Sequence, residues 1–248
     1  MEEIGIISFC GLIFGIIGTT LGGFIGAFLK VSSNKYLSFI LEFSAGLMTA
    51  IICFDLIPES LEIVDLSTCI IGILVGILAM IYCNKIVNRY STRSTSFSNL
   101  HQSSMFQTGM FIALGLAIHN FPEGLAIGAG FESSNTLGLK LAIAIALHDI
   151  PEGISIALPL SISGSSKIKS ILITTLSGLT TGLGAFFGVL IGNISQIFIG
   201  LSLSFAAGCM LYIVSCELIP ESKKRYYGRF NSLGFMIGII IGLFTKAL

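Results

Sequence analysis

Two copies of one short pattern stand in the middle of long apolar stretches: His119-Asn-Phe-Pro-Glu123-Gly124 and His148-Asp-Ile-Pro-Glu152-Gly153. On a helix, residues four apart share a face, so His119 stands beside Glu123 and His148 beside Glu152. Asn120 and Asp149 are turned by about 100° from their histidines and flank the same constellation. Pro122 and Pro151 cannot donate to the carbonyls of Ile118 and Leu147, which frees one backbone oxygen beside each imidazole. Gly124 and Gly153 would let a neighbouring helix approach. Two imidazoles and two carboxylates make four nitrogen and oxygen ligands, a set suited to Zn²⁺ and acceptable to Fe²⁺, Mn²⁺, Co²⁺ or Cd²⁺. The patterns hold no cysteine, which argues against a Cu(I) site.

The elements that must carry these residues follow from composition. Of 248 residues, 54% are apolar, 10% are charged and 29 are glycine, and the mean hydropathy is +0.95. A soluble domain, with about a quarter of its residues charged, could not hide so much apolar surface. Lys plus Arg equals Asp plus Glu at 13 each, so no basic excess exists for nucleic acid. The six cysteines (Cys10, Cys53, Cys69, Cys83, Cys209 and Cys216) lie in apolar runs without CxxC pairs and read as small buried hydrophobes. The expected fold class is therefore an all-α polytopic membrane protein.

A crossing of about 30 Å needs about 20 apolar residues. Roughly eight such runs occur, at about 4–29, 36–57, 66–83, 105–130, 137–160, 171–192, 197–219 and 231–247, forming one transmembrane domain over 1–248. The hydrophilic stretch from Asn84 to Ser104 reads as a short loop, with His101 in it. The chain opens on Met-Glu-Glu, without a basic n-region, so no cleaved signal peptide is expected. Loops after spans one, three, five and seven hold 11 of the 13 basic residues. The positive-inside rule puts that face in the cytoplasm and both termini outside, in a multi-pass protein of the cell membrane.

At that depth the carboxylates decide between readings. Each costs about 2.5–3.5 kcal/mol at a helix centre, so Glu123, Asp149 and Glu152 without partners would cost on the order of 8–10 kcal/mol. No Lys or Arg lies at comparable depth, and a divalent cation can neutralise them. A proton relay built from the same groups is the competing reading.

Residues 43–60 resemble residues 205–222, with ten of 18 positions identical, among them the Leu-Ile-Pro-Glu-Ser that closes each segment. These fall on spans two and seven, and the two histidine patterns fall on spans four and five. Each pair runs in opposite directions through the bilayer. Inverted repeats of helices one to three against six to eight, and of four against five, are typical of secondary transporters with midplane sites. Asp55 and Glu59 lie near the outer end of span two, and Glu217 and Glu221 near the inner end of span seven. They read either as mirror-related pathway carboxylates drawing cations to each mouth or as solvated helix ends. Glu42, two turns inside span two, either pairs with a nearby cation or lines the exit.

With both histidine patterns, the chain resembles the ZIP (Zrt/Irt-like) family of divalent-metal transporters, especially its bacterial ZupT-type members. The resemblance implies a first metal on His119, Glu123, His148 and Glu152, and a second on Asn120 and Asp149 with Glu123 and Glu152 bridging. Met48 matches a helix-two methionine near the first metal in some members. Similar members often carry Ser-Gly-Leu-x-Glu on helix six, where this chain has Ser177-Gly178-Leu179-Thr180-Thr181. The neutral Thr181 removes a charge and a strong ligand, so a weaker or absent second metal is expected. The resemblance also implies a homodimer, and helices one, four, five and six moving against two, three, seven and eight. The expected function is secondary transport of divalent cations, zinc foremost, into the cytoplasm, the metal being substrate and not a resident cofactor. An intramembrane protease would place a general-base Glu directly after the first His, in His-Glu-x-x-His. Asn120 and Asp149 occupy those positions, so no enzyme is expected. An exporter with the same ligands remains open.

Overall fold

The computed structural model describes residues 2–29, 33–91, 100–133, 135–192 and 196–245. Among them there is no strand. The helices are α1 (Glu2–Phe28), α2 (Asn34–Ile51), α3 (Ile57–Ile63), α4 (Leu66–Ser91), α5 (Leu100–Ser133), α6 (Asn135–Ile162), α7 (Lys167–Gly192), α8 (Gln196–Ile213), α9 (Ile219–Arg225) and α10 (Arg229–Thr245). Short π-helical segments, Ile52–Leu56 and Val214–Leu218, join α2 to α3 and α8 to α9, making each pair one continuous crossing. Among the described residues, seven crossings are long and apolar enough to span a bilayer, and α10, at 17 residues, is the shorter eighth. The protein is a multi-pass, all-helical membrane protein.

The two π segments share a cause. Pro58 and Pro220 follow them in the first turns of α3 and α9, and a proline ring clashes with the carbonyl four residues earlier. The chain answers by widening the turn: the Ile57 N–H bonds the Ile52 carbonyl and the Ile219 N–H the Val214 carbonyl, each five residues back. The segments occupy equivalent positions of the sequence repeat. So do two hydroxyl bonds: Ser60 Oγ donates to the Gly200 carbonyl at 2.8 Å, and Ser222 Oγ to the Ser38 carbonyl at 3.1 Å.

Helix α1 packs along α6 and α7, α5 along α6 and α7, α2 along α10, and α4 along α8. Because lipid is as apolar as leucine, close backbone approach, more than a hydrophobic drive, holds such helices together. The largest apolar cluster joins Leu41, Met48 and Ile51 of α2 to Leu116 of α5, Ile156 of α6 and Met210 of α8.

Two expectations need correction. The stretch Asn84–Ser104 is not a simple loop, since α4 continues to Ser91 and α5 begins at Leu100. Helical hydrogen bonding continues past the apolar run because its ladder does not depend on hydrocarbon. His101 thus lies in the first turn of α5, with its side chain outside the described part. The cysteines are not uniformly buried either. Cys69 and Cys209 are, but Cys53 and Cys216 are exposed, each on a π segment.

Candidate metal centre

Both histidine patterns lie inside unbroken helices, with Pro122 within α5 and Pro151 within α6. The glycine that ends each pattern seats a further helix against it. A Cβ on Gly124 would strike the Thr181 carbonyl oxygen of α7, and one on Gly153 the Thr19 carbonyl oxygen of α1. With hydrogen there instead, α7 and α1 press against the turns that carry the polar side chains.

Those side chains are sealed from the surroundings. His119, Asn120, Asp149 and Glu152 are 0% exposed and Glu123 is 1%. His119 joins the helices: its Nε2 lies 3.1 Å from Glu152 Oε1 and 3.2 Å from Oε2, while its Nδ1 stands 3.6 Å from Glu123 Oε1. With Nε2–H donating to Glu152, a neutral ring turns its Nδ1 lone pair toward the Glu123 carboxylate. That pairing is repulsive until a proton or metal ion comes between them. Three carboxylates, Glu123, Asp149 and Glu152, are thus buried on neighbouring turns of α5 and α6. Burying charged groups is costly unless they are paired, and metal coordination is one way to pair them.

The centre extends to α7. Asn120 Nδ2 donates to the Ser177 carbonyl at 3.1 Å, which turns its amide oxygen the other way. Asn120 Oδ1, Thr181 Oγ1 and His119 Nδ1 are buried and make no hydrogen bond among the described residues. Each is an oxygen or nitrogen with a lone pair available to a cation. Nothing in the spacing of Ser177 from Asn120, 57 residues earlier, signalled their contact. His148 lies on α6 one turn before Glu152, but its side chain is outside the described part. Among the described residues no group of three His, Cys, Asp or Glu side chains forms a ready-made metal cage.

The remaining candidates lie apart from this cluster in kind. Met48 is fully buried in the apolar cluster of α2. Asp55 and Glu217, both half-buried, stand on the two π segments, and Glu59 is half-buried in α3. Asn84 of α4 donates to Glu217 at 3.3 Å and to the Tyr212 hydroxyl at 3.1 Å. Glu221 is buried and takes the Arg225 side chain, Nε at 2.8 Å, with Lys224 at 3.5 Å. Glu42 Oε1 lies 3.2 Å from Ser222 Oγ and competes with the Ser38 carbonyl for that one hydroxyl hydrogen.

Comparison with known proteins bears on this geometry. The sequence pattern of the family described as ZIP zinc transporter matches residues 94–246, which include both histidine patterns. The chain is 32% identical over 241 residues to the zinc transporter ZupT of Chlorobaculum parvum, covering 90% of this chain and 89% of that one. It is 32% identical over 243 residues to the zinc transporter ZIPB of Bordetella bronchiseptica, covering 93% and 77%. A shorter match, 38% identical over 144 residues, covers 58% of this chain and 57% of the zinc transporter GufA of Myxococcus xanthus. Spanning more than half of the chain in one comparison and nine-tenths in others, these matches establish that the chain belongs to the ZIP zinc transporter family.

Proposed function

We propose that this protein carries divalent transition-metal cations, zinc foremost, across the membrane into the cytoplasm through the centre between α5 and α6. One observation carries the reading: two buried carboxylates, Glu123 and Glu152, flank an imidazole that already spans the two helices, and Asp149 is buried on the same stretch of α6. The relatives' names as zinc transporters support the same substrate.

In this reading His119, Glu123 and Glu152, with His148, take the first ion, and Asn120 and Asp149 offer a second position. The His119–Glu152 hydrogen bond holds the ligands together between ions. An arriving cation that takes Nε2 and Glu152 releases the Nε2 proton to water, and when the cation leaves a proton returns and the hydrogen bond re-forms, so the carboxylates are not left facing each other. At Thr181 a hydroxyl stands where a charged ligand would be, which leaves the second position weaker. Fe²⁺, Mn²⁺, Co²⁺ and Cd²⁺ suit the same ligands. Asp55 and Glu59 would collect ions at one mouth and Glu217 at the other. Glu221, held by Arg225, contributes less.

The matched π segments and hydroxyl bonds support a pseudo-twofold relation between helices one to three and six to eight. The distribution of cations among the loops supports cytoplasmic basic loops and outward termini. Membership of the family supports a homodimer. Purified protein in liposomes tests the function: zinc enters wild-type vesicles, and Glu123→Ala and His148→Ala abolish that entry. Wild-type influx in both variants, or peptide cleavage in place of influx, would refute the assignment.

A further inference from the structure

On the other side of the metal-binding turn of α5 lies a cavity of about 630 Å³, walled by α4, α5 and α8. Ile71 and Val75 of α4, Ile118 and Pro122 of α5, and Phe198 and Ser202 of α8 lie in its lining. The lining is almost wholly apolar. Its one side-chain hydroxyl, that of Ser202, is already bonded to the Phe198 carbonyl at 2.8 Å. A water molecule needs two to four polar partners to be held in such a space, and these walls do not supply them.

The cavity lies beyond the point where α5 packs on both α4 and α8, at Gly115, whose Cβ would strike Met80 of α4 and Ile213 of α8. A Cβ on Gly76 would strike the Phe205 carbonyl of α8, which fixes the α4–α8 contact at backbone distance. The cavity opens sideways, where Ile71, Val75 and Phe198 are 56%, 49% and 43% exposed. Val75 lies nine residues beyond Leu66, the start of α4, about 14 Å of helix rise and so about halfway across ~30 Å of hydrocarbon. The mouth therefore faces lipid chains, between the Leu66 end of α4 and the midplane.

We propose that this cavity is a binding site for one acyl chain of a bilayer phospholipid, drawn from the leaflet at the Leu66 end of α4. The lining matches hydrocarbon in chemistry, the mouth lies at hydrocarbon depth, and the volume falls in the range that takes a single ligand of modest size. Ile118 and Pro122 lie in the lining, whereas His119 and Glu123, on the same two turns, lie in the metal centre. The bound chain thus backs the metal-binding turn and fills the gap between α5 and the α4–α8 pair. The occupancy itself does not rest on the transport reading.

The test uses full-length protein in phospholipid bilayers containing a phosphatidylcholine with a photoactivatable diazirine midway along one acyl chain. After irradiation, labelled peptides are mapped. Label on residues 71–75, 118–125 and 198–205 is expected to exceed, several-fold, that on the exposed apolar face of α10 at Met236 and Ile240. Val75→Trp plugs the mouth from an already exposed position, and Ser202→Phe fills the cavity from α8. Each is expected to lower cavity label several-fold while α10 label stays constant, which also reports an intact fold. Cavity label no greater than that on α10, label unchanged in both variants, or crosslinks between two copies of the chain at Ile71 and Val75 would overturn the proposal. Zinc influx is measured in parallel. Lost influx with retained label would refute only the transport reading, and lost label with retained influx only the lipid site.

Discussion

Replacing Glu152 by Gln removes a charge from the centre while keeping shape and volume. The structural cost is small. Gln can still accept from His119 Nε2 across the 3.1 Å contact, so a charge-assisted hydrogen bond becomes a neutral one, a change of about 1 kcal/mol. The cost to a bound cation is much larger. Two unit charges about 4 Å apart interact by about 4 kcal/mol at an effective dielectric of about 20, and Glu152 is fully buried. Allowing an amide oxygen to recover part of this, zinc affinity should fall by at least about 100-fold, the upper end of what even outer-shell partners contribute at metal sites. Calorimetric zinc titration of detergent-purified protein measures affinity, uptake into liposomes measures turnover, and thermal unfolding checks the fold. Melting within a few degrees of wild type, with binding and uptake both lost, is the expected combination. Zinc affinity within threefold of wild type in a well-folded Glu152→Gln protein would refute the argument that this carboxylate faces the ion.

Three further outcomes follow from the packing. Gly124→Ala places a Cβ 2.8 Å from the Ala185 nitrogen, inside the 3.4 Å where ordinary contact begins, and closer still to the Thr181 carbonyl. Forcing α7 away should destabilise the protein by about 1–3 kcal/mol and depress uptake, and unchanged melting would show that the contact is slack. Thr181→Glu should raise the zinc bound per chain, read by elemental analysis, at a similar cost in stability, since Thr181 is fully buried; unchanged stoichiometry would show that a charge there does not complete a second position. Asp65 starts α4 by accepting from the Thr68 hydroxyl at 2.5 Å and the Ser67 amide at 3.0 Å, and the Thr68 hydroxyl bond above all holds its carboxyl below the usual aspartate range. Its folded value being depressed, the capping contribution is present at neutral pH and lost as pH falls through that value, below about 4. Asp65→Ala should therefore speed amide exchange at Ser67 and Thr68 at pH 7, and unchanged exchange would mean the cap is not what holds that turn.

Much of this architecture is written in local pattern. Apolar runs of crossing length mark where helices lie, because in lipid the backbone must satisfy itself. The spacing of His119 and Glu123 predicts a shared face, and the structure puts their side chains 3.6 Å apart. What local pattern does not encode is azimuth between helices. The His119–Glu152 contact and the bond from Asn120 to Ser177 depend on how α5, α6 and α7 are rotated about their own axes, and glycine contacts spread along their lengths set that rotation. The π turns before Pro58 and Pro220 had a visible cause in those prolines. Pro122 and Pro151 sit within helices that stay α-helical, however, so proline alone does not tell which will widen a turn. The Glu221–Arg225 pair has ordinary i, i+4 spacing.

The bonds from Ser60 to Gly200 and from Ser222 to Ser38 have a mechanical meaning. Each fastens the last turn of one crossing to the first turn of the other, so α2–α3 and α8–α9 are clasped at both tips. A rod pinned at one end can still swing, whereas two rods pinned at both ends form a closed link that resists sliding and splaying alike. In the proposed transport cycle this link is the part that stays still, with the hydroxyls of Ser60 and Ser222 as its rivets.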